Sequence, residues 1–311
     1  MPLTLNNYEI LSMKTLLLGA KSPIGQSFAK RASKRGLSLI AINNAQEAEN
    51  YEKLNALNGV AQVTLDLSKN QAIQEFCFRE WPDVLINCYQ ATSDEESMPV
   101  INTQLPEFLS QLTHHLGIRL IHLSSPIIFD GSQKQAYKPT DKANPQCYHG
   151  QTLLLGEKAI LKNSDSKPVI LRVPHSLSPP DALGQDSFNQ RVLQMARTGQ
   201  KLSFSKKHIC QPTSCHNVAD VLVELSERKD LHGIYHWAGT ETISEYALAQ
   251  TLLERAQIPH SEDLLEASSS EEAEKNFSME LQPLRNKLKT PALNLKELFR
   301  ELDFIEPLST A

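Results

Sequence analysis

The stretch KTLLLGAKSPIG, from Lys14 to Gly25, decides the fold. Lys14–Gly19 is a short apolar run that ends in a turn of small residues, and Gln26–Arg35 then reads as a helix stopped by Gly36. Strand, tight turn and helix in that order form the context in which a glycine-rich turn can hold a dinucleotide pyrophosphate. Small residues are needed there so that the chain can turn sharply, the backbone can approach the phosphates and the helix can pack close to the strand. The helix start then offers unpaired N–H groups to the anion. Gly19 and Gly25 occupy the outer positions, with Ser22, Pro23 and Ile24 between them. Serine at the middle position adopts positive φ less readily than glycine. On this turn alone, a pyrophosphate site and a strand–helix turn that binds nothing both stay open.

The rhythm continues outward. Leu37–Ile42, Val60–Leu65, Asp83–Cys88 and Arg119–Ser124 read as strands, separated by helical patterns at Gln71–Arg79 and Pro99–Leu116. The strands are mostly continuous apolar runs, the pattern of strands buried on both faces, so the sheet should be parallel with helices on both sides. The expected class is α/β, a Rossmann-type doubly wound parallel sheet with a smaller, interleaved lobe. Residues 1–12 read as an N-terminal extension, and a start at Met13 is compatible with the first strand. Residues 13–173 read as the nucleotide-binding domain, and 174–311 mainly as the small lobe, with some segments returning to the main domain. A helix is expected from Leu153 to Lys162 and a strand at Val169–Val173. Further helices are expected at Phe188–Thr198, Val218–Arg228, Ser244–Ala256 and Asn294–Glu301, with a strand at Gly233–Trp237. Ser261–Glu280 is acidic and serine-rich and reads as a solvated loop or a poorly ordered stretch.

Composition narrows the class. The net charge is −5 and no long basic run occurs, which disfavours nucleic-acid binding. No run approaches the ~18 apolar residues of a membrane span, and the first residues lack the basic start and apolar core of a signal peptide. Five cysteines are present, with none of the two-residue spacings of a zinc knuckle. A reducing, cytoplasmic setting with buried thiols fits them best. His114 and His115 are adjacent and point apart on a helix, and the cluster of His208, Cys210, Cys215 and His216 is a weak metal candidate, so no metal site is expected.

The most informative segment is IHLSSPIIFDGSQKQAYKPTDKANPQCYHGQTLLLGEKA, from Ile121 to Ala159. It resembles the dTDP-4-dehydrorhamnose reductases, a branch of the extended short-chain dehydrogenases, and also the regulatory β-subunit of methionine adenosyltransferase. In that family a strand ending in Ser-Thr leads to a Val-Phe-Asp-Gly turn, and Tyr-Gly-x-Ser/Thr-Lys-x-x-Gly-Glu follows. Ser124-Ser125, Phe129-Asp130-Gly131, Tyr137, Asp141, Pro145, Gly150, Thr152 and Gly156-Glu157 fall in register. Asp66-Leu67 matches the pair that borders the adenine, Asn102 an asparagine at the next helix start, and Leu171-Arg172 a strand. Gln211-Pro-Thr213 and Gly233–Gly239 match later segments. The resemblance implies NADP or NAD as cofactor and a nucleotide or nucleotide-sugar as small-molecule ligand. The likeness to a regulatory subunit adds a protein partner.

The departures fall on the chemistry. The family's catalytic set is a Ser/Thr, a Tyr and a Lys four residues later. The lysine charge lowers the phenol, whose ordinary pKa is ~10, so that it can protonate the carbonyl that receives hydride. Ser125 fills the first position. The register set by Gly150, Thr152 and Gly156-Glu157 puts His149 at the tyrosine position and Leu153 at the lysine position. A one-residue shift offers Tyr148, but its partner is then Thr152, and Lys158 lies more than a turn too far along. No register restores the pair. Pro139 also replaces a glutamate that the family often carries two residues after the Tyr137 position. At the end of the second strand, Asn43 can bond a ribose hydroxyl but does not choose between NAD and NADP. The preferred reading is a binding protein whose reductase chemistry is lost or altered. The rivals are an active NADPH-dependent reductase of a nucleotide-linked keto-sugar that uses Ser125 and His149, and a structural partner that binds no nucleotide.

Overall fold

The computed structural model describes residues 13–45, 54, 57–92, 94–174, 176–179, 187–268 and 273–301. The extension 1–12 lies outside them. The first half alternates as the apolar runs require. Strand β1 (Lys14–Leu18) leads to helix α1 (Pro23–Lys34), β2 (Ser38–Asn44) and β3 (Val60–Leu65). Helix α2 (Asn70–Glu80), β4 (Val84–Asn87), α3 (Leu105–Leu116), β5 (Arg119–Ser124), α4 (Tyr148–Leu161) and β6 (Val169–Arg172) follow. A π-helical turn at Pro99–Gln104 runs directly into α3. All these strands pair in parallel.

Past Arg172 the chain builds the lobe before it returns. Strand β7 (Ser176–Leu177), helix α5 (Phe188–Arg197), β8 (Leu202–Phe204), β9 (His208–Cys210) and β10 (Thr213–Ser214) precede α6 (Cys215–Glu227). Strand β11 (Gly233–His236) then joins the main sheet beside β6, giving seven strands in the order β11-β6-β5-β4-β1-β2-β3. The order reverses between β1 and β4, the switch point at which ligands bind in open parallel sheets. Alternate residues of the central strands feed two apolar layers. Leu17, Val84, Ile86 and Leu171 meet α1 and α6 on one face. Leu16, Leu85, Leu120 and Ile170 meet α2, α3 and α4 on the other. Helix α6 is buried along nearly its whole length, because it covers the sheet although it follows the lobe segments in sequence.

The lobe has its own core, in which Phe188, Val192 and Leu193 of α5 pack with Leu248, Leu252 and Leu253 of α7 (Glu245–Arg255). One expectation is corrected here. After β12 (Ile243–Ser244), which pairs with β9, the acidic stretch 261–280 contains β13 (Leu265–Ala267), paired with β8, and β14 (Lys275–Asn276), also paired with β9. Met279 at its end is buried. Asp263, Glu266 and Glu274 are exposed, and short strands of two or three residues leave no periodicity to read. Helix α4 starts at Tyr148, five residues before the expected Leu153, because Cys147 caps it: its Sγ accepts from the Gly150 N–H at 3.4 Å.

Candidate functional site

The turn after β1 is built from contacts that only glycine permits. Gly19 has φ +79°, and a Cβ there would meet the Cys88 carbonyl carbon and the Tyr89 nitrogen at 2.6 Å. A Cβ on Gly25 would lie 2.2 Å from the Gly19 oxygen. The turn is thus pressed against the end of β4, at the switch point. Ser22 does not need positive φ. It sits at φ −60°, ψ 149° as the N-cap of α1. Its Oγ donates to the Gly19 carbonyl at 2.8 Å and accepts from the Gly25 N–H at 3.0 Å. The conformational cost expected of serine is therefore absent. Pro23 at the first helical position has no N–H to leave unsatisfied. The Ile24 N–H has no acceptor among the described residues. A turn this tight, with an orphan N–H at the positive end of a twelve-residue helix, fits a pyrophosphate.

The neighbouring strand ends supply amides and one carboxylate. Asn43 donates from Nδ2 to Gln62 Oε1 at 3.1 Å, and its Oδ1 is buried without a partner among the described residues. Asn44 donates to the Tyr89 hydroxyl at 2.8 Å and accepts from the Leu67 N–H at 3.4 Å. Asp66 is held by the Ser68 hydroxyl at 2.6 Å, with Lys69 at 3.3 Å, so its carboxyl lies below the usual range. Leu67 is buried and closes this side. Asn43, Asn44, Asp66 and Leu67 are thus gathered beside the glycine turn.

The second half of the crevice is built around the start of α4. Ser125 follows β5 and caps a short 3-10 turn, with Oγ 3.4 Å from the Ile127 N–H. Gly150 packs on that turn: a Cβ there would lie 2.5 Å from the Ile127 oxygen. Gly150 thus seats the start of α4, which carries His149, against the turn that Ser125 caps. Tyr148 is exposed instead. The Nε2 of His149 is buried with no hydrogen-bond partner among the described residues, and burial lowers the imidazole pKa. Leu153, one turn further, is 0% exposed in a cluster with Ile128, Phe129 and Tyr137. The position at which the resembling enzymes carry an ammonium group is the centre of an apolar plug.

The motif residues that match the family serve the frame. Thr152 accepts from Asn102 Nδ2 at 3.1 Å, and Asn102 also bonds both backbone groups of Ala91, at 2.8 and 2.9 Å. A Cβ on Gly156 would lie 2.2 Å from the Asn102 oxygen, so α4 and the π-helical turn are in backbone contact. Glu157 and Arg172 form a buried bidentate pair at 2.9 and 2.7 Å. Arg172 also donates to the Pro139 carbonyl at 3.2 Å and lies 3.2 Å from His236 Nε2. Phe129 stacks on Tyr137 at 4.1 Å, and Tyr137 donates to Asp130 at 2.7 Å. Ser132, Tyr137 and Asn144 hold the Asp130 carboxyl well below its usual range, and burial pushes the Tyr137 phenol up.

Two buried imidazoles set a pH dependence. Burial holds His122 at about 4 and His236 at about 3. Each folded-state value lies below the ~6.5 of an unfolded chain, so only the unfolded state takes up protons as pH falls below that value. Stability should therefore decline from about pH 6.5 towards pH 4, at about 1.4 kcal/mol per pH unit for each imidazole. Urea denaturation across this range checks it, and His122→Asn should flatten the slope. An unchanged midpoint between pH 7 and 5 would contradict the assignment.

Sequence patterns alone missed the polar seam under α4. Asn87 and His122 bond at 3.1 Å across β4 and β5, and Arg172 and His236 meet across β6 and β11. Polar residues at the ends of otherwise apolar strands were the available signal. Of the weak metal candidates, Cys210 donates to the Ile243 carbonyl at 3.3 Å, and burial pushes its thiol up to about 12. No group of three or more potential ligands occurs among the described residues.

Comparison with known proteins agrees with the geometry. A Xenopus laevis protein named methionine adenosyltransferase 2 subunit beta is 28% identical, over 82% of this chain and 76% of its own length. A dTDP-4-dehydrorhamnose reductase of Aggregatibacter actinomycetemcomitans is 25% identical, over 78% of this chain and 79% of its own. The crystal structure of a dTDP-4-dehydrorhamnose reductase from Bacillus anthracis in complex with NADP superimposes with a TM-score of 0.73 at 17% identity, covering 94% of this chain and all of the other. The sequence signature of the RmlD substrate binding domain matches residues 13–298. With the switch-point turn, the α4 frame and this match in agreement, the chain belongs to the RmlD substrate-binding-domain family of extended short-chain dehydrogenase folds.

Proposed function

We propose that this chain binds NADP or NAD over the Gly19–Gly25 turn and acts by binding, together with a protein partner, without reducing a nucleotide-linked sugar ketone. The observation behind this reading is Leu153, fully enclosed where the family places its ammonium group. A bound dinucleotide supplies a nicotinamide ring able to carry hydride. The Ile24 N–H and the positive end of α1 would meet the pyrophosphate, and the amides of Asn43 and Asn44 the ribose. At the other end, Leu153 leaves the family's lysine position without a charge. His149, neutral near pH 7 because burial lowers its pKa, is a poor proton donor there. The name of the Xenopus relative, a subunit, supports a partner-bound role.

The full chain should be titrated with NADPH and with NADH, followed by nicotinamide fluorescence. Saturable binding is expected, weakened at least tenfold in Gly25→Val, because any Cβ there meets the Gly19 oxygen at 2.2 Å. Turnover of a dTDP-linked 4-keto sugar should not exceed that of His149→Ala. Turnover that His149→Ala abolishes would overturn the non-catalytic reading in favour of a Ser125–His149 reductase. Failure to bind either dinucleotide would overturn it in favour of a structural partner.

A further inference from the structure

A cavity of about 600 Å³ lies against α4. Leu154, Glu157, Lys158 and Leu161 line it at helical spacing, Ile234 of the edge strand β11 faces them, and the segment 139–143 closes the end. Strand β11 is four strands from β1, so the cavity lies on the order of 19 Å across the sheet from the pyrophosphate turn at the usual strand spacing. It does not depend on the nucleotide reading.

The chemistry of its walls is specific. Leu154, Leu161, Ile234, Ala143 and Pro139 make the interior apolar. At the base, the charges of Glu157 and Arg172 satisfy each other in the buried pair. At the mouth stand Lys142 and Lys158, both exposed and in no ion pair among the described residues. The carboxylate also at the mouth, Asp141, is turned to the Lys138 N–H at 2.8 Å. An apolar cleft of this size with a few convergent polar groups is a usual form of small-molecule site. We infer that this cleft binds an amphiphilic monoanion, an apolar body along Leu154, Leu161 and Ile234 and a carboxylate or sulfonate between Lys142 and Lys158.

The test uses the full chain, with anilinonaphthalene sulfonate as fluorescent probe and decanoate as competitor. One probe per chain is expected, displaced by decanoate and unaffected by saturating NADPH. Lys142→Glu combined with Lys158→Glu should weaken probe and decanoate by roughly tenfold or more, the loss of at least one charge-assisted contact. Both lysines are exposed, so the double variant should fold. Lys34→Glu, on α1, should leave binding unchanged. Decanol should bind at least tenfold more weakly than decanoate. Absence of saturable binding, displacement by NADPH, indifference to the double variant, or equal binding of decanol would each overturn the inference.

Discussion

Glu157→Ala is expected to destabilise the protein by about 3–5 kcal/mol, because it leaves the Arg172 guanidinium buried without its counter-ion. Both side chains are almost fully enclosed, at 2% and 4% exposure, and joined by two hydrogen bonds. The effect should spread beyond the pair. Arg172 also donates to the Pro139 carbonyl and faces the ring of Phe129 at 5.2 Å. The segment from Phe129 to Asn144 is therefore anchored through the same guanidinium, and its proteolytic susceptibility should rise in the variant. A double replacement of Glu157 and Arg172 by Met should cost less than Glu157→Ala alone, since neither charge is then left in the interior. Urea denaturation of the three proteins decides the matter. A loss below about 1 kcal/mol for Glu157→Ala would mean that water reaches Arg172.

Leu153→Lys, the change that writes the family's lysine back into α4, should cost about 3 kcal/mol or more and restore no reductase activity, even combined with His149→Tyr. The side chain at this position is surrounded by Ile128, Phe129 and Tyr137, and a charge placed there loses its hydration. The introduced ammonium group would lose affinity for its proton in the folded state. The unfolded chain then holds more protons between that lowered value and ~10.4, so stability should rise with pH in that window. The deficit measured at pH 7 should accordingly shrink by pH 9–10. A variant as stable as the parent at pH 7, or one that reduces a keto-sugar nucleotide, would show that the apolar plug opens and that the crevice is better poised for chemistry than its packing implies.

Much of this fold was legible in the sequence because the main strands are buried on both faces. Continuous runs such as LLL at 16–18 and VLI at 84–86 have few alternatives once glycine turns and amphipathic helices punctuate them. The lobe was harder. Its strands are two or three residues long, and in 261–280 the composition of an exposed surface hides the pairing that holds β13 and β14 in place. At the site, a sequence pattern can register that Tyr and Lys positions are filled by His149 and Leu153. It cannot show that Leu153 is sealed in, since a leucine lining an open crevice would read identically. Ser22 shows the opposite error. Reading it as a flawed glycine presupposed positive φ, whereas its hydroxyl caps the helix in an ordinary extended conformation. That cap also competes with a phosphate for the Gly25 N–H, a competition invisible in the residue type alone.

The late return of β11 has a consequence for how this chain can be divided. The edge that β11 covers on β6, and the face that α6 covers, are completed by residues 215–236, which follow β7 to β10 in the chain. A fragment ending at Val173 would present β6 as an open edge and leave the face of Leu17, Val84 and Leu171 with α1 but without α6 to cover it. Such a piece should clump on expression rather than behave as a separable nucleotide-binding module. On a ribosome, the same logic delays completion of the sheet until the lobe segments through β10 have emerged.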